Sequence, residues 1–274
     1  MRGAGVEGTV LWRMALGLAC AALNACAPIG GITWPSRAPV PSGTALIAYE
    51  RASAACRAVD AATAAVSVSG RLGHDRVRGR LLVGADRAGR LRIEALAPFG
   101  EPLFVLVAEN GRATLLLARQ QQVLRDAPAS EVLDALAGLH VDPGEVLALL
   151  SGCVAEGEAA GGMSAGAFWL VTLGGSARAV VQDLPGAPRL VSGEIAAAGG
   201  TLRVGYGEFA ADRRPRLVRI RRELAGGVVD LQLRLAQVET GVPLGPEALH
   251  VRVPAGAEPI SLDDLRRSSP LAAR

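Results

Sequence analysis

The sequence predicts a mainly β domain of antiparallel strands, with one helix ahead of them and two amphipathic helices in the middle. Three observations predict it. Apolar and polar residues alternate with strict period two in several separate runs, the mark of strands packed on one face only. Turn signals such as Ala88-Gly89, Asn110-Gly111, Gly199-Gly200 and Gly226-Gly227 recur at intervals of about ten residues, as in a meander, sandwich or barrel. Helical spacing, by contrast, is confined to three short stretches.

Composition narrows the class before any element is placed. The chain has 274 residues, half of them hydrophobic, with a mean hydropathy of +0.30, so it can bury a substantial core in one or two domains. A net charge of +3 and 3% aromatic residues fit neither a dedicated nucleic-acid binder nor a base-stacking surface, and no nucleic-acid partner is expected. All 29 basic residues are arginine, which alongside so much Ala and Gly reads as compositional bias.

At the N-terminus, Arg2 and Arg13 precede an apolar run at 14–23, followed by Leu23-Asn24-Ala25-Cys26. A basic head, an apolar stretch of about ten residues and small residues before a cleavage point describe an export signal over 1–25. Ending in L-N-A-C, this one resembles a bacterial lipoprotein signal. That resemblance implies that Cys26 becomes the first mature residue and carries a diacylglycerol on its thiol. Cys20 is a weaker candidate, with Gly17 rather than a leucine three places before it. Ala27, in place of aspartate after the cysteine, resembles outer-membrane sorting, so the expected location is the periplasmic face of the outer membrane. Residues 26–43, with Pro28, Pro35, Pro39 and Pro41, read as a tether.

The domain is expected over 44–260. Residues 44–64 carry Leu46, Tyr49, Cys56 and Val59 at roughly helical spacing. Strands follow in which Val66, Val68 and Leu72, then Val77, Leu81 and Val83, then Leu91 and Ile93, alternate with polar neighbours. A helix is expected over 128–139, with Val132, Leu133, Leu136 and Leu139 on one stripe. A second opens at Asp142-Pro143-Gly144-Glu145, an N-cap, a first-turn proline and a third-position glutamate, and ends at Gly152. Val146, Leu147 and Leu150 form its apolar stripe. Two such helices inside an antiparallel sheet are placed to lie as a lid over its apolar face. Later strands run through Leu202, Val204 and Tyr206 and through Val229, Leu231, Leu233 and Leu235. A C-terminal tail occupies 261–274, with a short helix-like stretch from Ser261 to Arg267.

With Cys20 removed and Cys26 acylated, Cys56 and Cys153 remain. In an oxidising compartment they either pair or stay as two buried thiols. Enzyme readings fail on context. Gly162-Met163-Ser164-Ala165-Gly166 matches the G-x-S-x-G pattern, and Asp230 and His250 follow in hydrolase order. A nucleophile elbow needs a strand before and a helix after, however, and here a Gly/Ala loop at 158–162 precedes and strand-like Phe168-Trp169-Leu170-Val171 follows. His74, His140 and His250 show no metal-ligand spacing. No catalytic residue, metal or cofactor is therefore expected. Six arginines in the ten residues 213–222 suit either anionic head groups or the wet face of a strand; the interleaved Leu217, Val218 and Ile220 favour the strand.

Residues 90–153 resemble LolB, the outer-membrane lipoprotein receptor, within the LolA/LolB-like fold. The run comprises the strand Leu91-Arg92-Ile93-Glu94, the loop Pro98-Phe99-Gly100, a hairpin at Asn110-Gly111, the helix through Val132-Leu133-Asp134-Ala135-Leu136, and a second helix ending Leu149-Leu150-Ser151-Gly152. The match continues through Ser192-Gly193-Glu194-Ile195, 200–207, 215–222 and 228–235. The resemblance implies an open, strongly curved antiparallel half-barrel of about ten to eleven strands, with a helical lid over a cavity for acyl chains. It further implies that Phe99, at the tip of Pro98-Phe99-Gly100, projects to solvent for delivery into the bilayer. The expected cavity walls are Leu91, Ile93, Val229, Leu231 and Leu233, and the expected lid residues are Leu133, Leu136, Leu147 and Leu150. The expected partners are lipid or lipoprotein acyl chains, the outer membrane and a LolA-like periplasmic carrier, with the protein itself a monomer. The other reading is a structural envelope lipoprotein with a filled LolB-like barrel.

Overall fold

Period-two alternation buries alternate side chains, and in the computed structural model it does so along one long sheet. The structure describes residues 31–97, 102–155, 157–174, 176–184, 187–197, 200–225 and 227–269. Cys26 and the Pro98-Phe99-Gly100 loop lie outside them. The folded unit begins at Ile32.

Chain order starts with a two-residue strand, β1 (Val40–Pro41), and the helix α1 (Thr44–Arg57). Six strands follow: β2 (Ala61–Gly73), β3 (Asp75–Asp86), β4 (Leu91–Leu96), β5 (Pro102–Glu109), β6 (Arg112–Leu117) and β7 (Gln122–Pro128). The helices α2 (Ala129–Ala137) and α3 (Pro143–Ser151) come next. Then come β8 (Ala159–Ser164), β9 (Phe168–Leu173), β10 (Ala177–Gln182), β11 (Arg189–Ala197), β12 (Gly200–Phe209), β13 (Pro215–Leu224) and β14 (Gly227–Thr240). A 3-10 turn (Pro246–Leu249), the short β15 (Glu258–Pro259) and the helix α4 (Leu262–Ser268) end the described chain.

In space the order is β1-β8-β9-β10-β11-β12-β13-β14-β2-β3-β4-β5-β6-β7-β15, antiparallel throughout except for β15, which pairs parallel with β7. After β1 at the edge, the chain therefore enters the middle of the sheet at β2 and meanders out to β7. It crosses through α2 and α3 to the opposite edge at β8 and meanders back until β14 closes against β2. This is the predicted mainly β, open antiparallel architecture with an N-terminal helix and a central helix pair. The described strands number fifteen, against the ten or eleven expected. Three of the surplus strands are the two-residue edge pairings β1 and β15 and the strand β8, whose Ala-Ala-Gly-Gly sequence carries no alternation to read.

The crossover explains the position of the lid. A connection joining opposite edges of one sheet must traverse a face, and α2 packs on β6 and β7 while α3 packs on β2, β3 and β13. α1 covers β8 to β11 on the same side. Gly162 lets α1 approach this closely, because a Cβ there would lie 2.6 Å from the Ala45 Cβ.

Local chemistry matches the predicted turns and caps. Asn110 and Gly111 both take positive φ (52° and 73°), as a two-residue hairpin requires. At the start of α3 the Asp142 N–H donates to the Glu145 carboxylate at 2.7 Å, and Gly152 ends the helix with φ 96°.

Two expectations are corrected. The helix predicted over 44–64 stops at Arg57. Ala61 to Ala64 form the start of β2, where pairing with both β3 and β14 outweighs alanine's helix propensity. The loop expected at 158–162 is largely strand β8. The C-terminal tail is docked: Leu265 is 4% exposed within the core, and Arg266 bridges Glu131 of α2 at 2.6 Å.

Residues 32–41, which composition assigns to the tether, lie on the sheet face opposite the helices. Ile32 sits where a Cβ on Gly205 would point, 3.2–3.4 Å away, and the buried Ser192 hydroxyl donates to the Thr33 carbonyl. Trp34 receives the Arg178 guanidinium 5.5 Å from its ring centroid, and Val40–Pro41 pairs with β8.

Candidate lipid-binding face and its helical lid

The inner face is built by register. Val229 stands beside Leu72, Leu231 beside Gly70 and Ile220, and Leu233 beside Val68 and Val218. On β4, Leu91 stands beside Ala85 and Ala108, and Ile93 beside Val83 and Leu106. Leu91 and Val229 are fully buried, Leu231 is 5% exposed, and Ile93 and Leu233 are half-buried. From the lid side, Leu133, Leu147 and Leu150 are buried and Leu136 is partly so. Six of the nine belong to one apolar cluster, and Ile93, Leu136 and Leu233 pack against it.

Polar anchors unmarked in the sequence fix the lid over this face. Arg222 is on the inner face of β13, 3% exposed, and its Nη1 donates to the Asp134 carboxylate at 3.0 Å and to the Gly138 carbonyl at 2.7 Å. It thus ties the C-terminal end of α2 to the sheet. The buried Tyr206 hydroxyl donates to the Cys153 carbonyl at 2.6 Å, holding the residue that follows α3. Burial pushes the Tyr206 phenol, and less strongly that of Tyr49, above the ordinary tyrosine range. Arg222 was unreadable as an anchor because it sits inside an arginine-rich strand whose other arginines face water.

The two remaining cysteines pair. Cys56 at the end of α1 and Cys153 just past α3 form a disulfide, with a Cα–Cα distance of 5.6 Å. A cleft of about 340 Å³ opens beside it along the seam between α1 and α3, lined by Val59, Leu147, Ala148 and Ser151, with Arg57 and Arg87 also on its walls. A second cleft, of about 600 Å³, lies on the outer face between β14, β2, β3 and β4 and the residues Leu244 and Ala248.

The Ser164 motif sits at the end of β8, followed by β9 rather than a helix, and Asp230 is on β14 with five strands between. The structure does not bring that hydrolase set together. His74, His140 and His250 lie on three separate connections. Among the described residues no helix is long and apolar enough to cross a membrane.

No protein-family profile matches the sequence, and no curated protein sequence does. Solved structures do match. A LolA superfamily protein from Nitrosomonas europaea is 12% identical with a TM-score of 0.50, over 77% of this chain and 98% of its own. A putative outer membrane lipoprotein-sorting protein domain from Vibrio parahaemolyticus is 10% identical with a TM-score of 0.45, over 74% and 95%. The lipoprotein LppX from Mycobacterium tuberculosis is 12% identical with a TM-score of 0.32, over 74% and 98%. An antiparallel sheet whose one apolar face is covered by its own crossover helices thus defines a LolA-like fold.

Proposed function

We propose that this protein is a lipoprotein, anchored through Cys26 at the periplasmic face of the outer membrane, that receives acyl chains between its inner sheet face and its lid and passes them to the membrane. The observation that supports this reading most is the contact between lid and sheet. Leu133, Leu136, Leu147 and Leu150 share one apolar cluster with Leu91, Ile93, Val229, Leu231 and Leu233, and the lid helices pack on β2, β3, β6, β7 and β13. Acyl methylenes can replace such contacts, each buried CH₂ contributing about 0.8 kcal/mol. The α1–α3 seam already reaches Leu147 from outside. No catalytic group, metal or cofactor is required. The donor would be a LolA-like carrier, or the cargo a free lipid.

Delivery needs a point that meets the bilayer, and Phe99 is the candidate. The strands flanking it end at Leu96 and restart at Pro102, which pair with each other. A phenyl ring exposed between them would be costly unless it met lipid.

The test has two parts. Mass spectrometry of the purified protein should find acyl-bearing lipids or lipopeptides, and Phe99→Glu should keep acyl binding while losing transfer into liposomes. A variant that melts many degrees lower or loses acyl binding would make Phe99 a core residue. The full burial of Leu91 and Val229 favours a second reading, an envelope scaffold with a filled interior. Absence of any co-purified lipid, with fluorescent fatty acids also failing to bind, would favour it.

A further inference from the structure

The outer face of the sheet carries an arginine lattice that neither core nor lid uses. Cross-strand register places Arg71 opposite Arg76, Ser69 opposite Arg78 and Ser67 opposite Arg80 on β2 and β3. The middle row continues through Gln232 and Arg219 to Gly205 on β12. Arg71, Arg76, Arg78 and Arg80 are exposed, and among the described residues neither they nor Arg219 join an ion pair. One acid, Asp230, stands beside Arg71 in these rows. Like charges set directly opposite destabilise a strand pair, so Arg71 facing Arg76 costs the fold something that a partner must offset. Guanidinium groups are suited to phosphate, which they bind through two parallel hydrogen bonds.

The N-terminal segment indicates where that phosphate is. Ile32 rests on Gly205, in the same cross-strand row as Arg219 and Arg78. Four strand spacings separate Gly205 from Arg78, about 19 Å. Six residue steps separate Cys26 from Ile32, which span at most about 21 Å. An acyl group on Cys26 would therefore hold Ile32, and with it the Gly205 end of this row, within that distance of the bilayer.

We infer that the outer face of β12, β13, β14, β2 and β3 is the side that lies on the membrane, with Arg71, Arg76, Arg78 and Arg80 engaging the phosphates of anionic lipid head groups. The orienting part of this inference rests on the anchoring at Cys26; the lipid affinity of the arginine face does not. Held this way, the protein turns its inner face and lid away from the bilayer, towards the aqueous side from which cargo arrives.

The experiment separates the two. The mature chain with Cys26→Ser, which cannot be acylated, is sedimented with vesicles of phosphatidylcholine alone or mixed with phosphatidylglycerol. It should bind the anionic vesicles only and be released by salt. An arginine near an anionic surface is worth roughly fivefold in partition. The combined variant Arg71→Gln, Arg76→Gln, Arg78→Gln and Arg80→Gln should therefore bind at least a hundredfold more weakly, with an unchanged or higher melting temperature. Arg119→Gln with Arg125→Gln, near the β7 edge, should bind as the parent does. Equal binding to both vesicle types, or unchanged binding by the fourfold variant, overturns the inference. So does binding to immobilised polyglutamate with none to either vesicle, which would assign the face to an acidic protein.

In parallel, the acylated chain carrying Ser67→Cys and a fluorophore is placed in anionic vesicles with a head-group quencher. Quenching that the fourfold variant abolishes is expected, and an unquenched label on acylated protein overturns the orientation. A missing acyl mass on Cys26 refutes the anchoring reading, while the sedimentation result still decides the arginine face.

Discussion

Tyr206 shows what one side chain does for this fold. It belongs to the apolar inner face, yet its hydroxyl reaches the Cys153 carbonyl. Tyr206→Phe leaves that buried carbonyl unsatisfied and should cost about 1–3 kcal/mol, read as a lower denaturant midpoint at neutral pH. A pH signature accompanies it. Burial raises the Tyr206 phenol above its ordinary value of 10.0, and Tyr49 shifts the same way. The folded state therefore favours the neutral phenols. Their contribution is full below pH 10 and is lost as the pH rises past it, because the unfolded chain ionises first. Stability should fall on titration above about pH 10, less steeply in Tyr206→Phe; identical alkaline limbs in the two proteins would refute the assignment.

Among the elements, the lid is the one held by unlike means at its different points. The disulfide joins the end of α1 to the residue after α3, closing a loop of 97 positions. In the chain-entropy model its loss should cost about 4–5 kcal/mol, measured by comparing denaturation of Cys56→Ser/Cys153→Ser with the parent. α2 is held instead by Arg222 and by α4, through Leu265 and the Arg266–Glu131 bridge. Ending the chain at residue 257, before β15, should accelerate amide exchange in α2 several-fold and leave β12 to β14 unchanged. Uniform acceleration would mean that α4 stabilises the whole fold and not the lid. Strand positions and the caps of α3 were legible because alternation and Asp-Pro-Gly-Glu spacing act locally. β8 was not, since Ala and Gly give no period. The docking of 32–41 and of α4 was hidden too: Ile32 against Gly205 and Leu265 in the core are contacts between distant positions in polar-looking segments.

At the scale of the molecule, the sheet order was the least legible property. Hairpins of about ten residues read the same wherever their ends are joined, and only the pairing of β14 with β2 reveals that β2, the first long strand, lies in the middle of the sheet. That placement constrains how the protein acquires its structure as the chain is made. The N-terminal half is made first, and β2 then presents an unpaired hydrogen-bonding edge along its thirteen residues. Its partner follows only after two helices and six strands more have emerged beyond β7. Long-range pairing of this kind is slow to form, and an open edge invites intermolecular pairing meanwhile. A chain interrupted before β14 should therefore aggregate, however complete β2 to β7 are, and the intact protein should depend on holding factors for as long as its last long strand is outstanding.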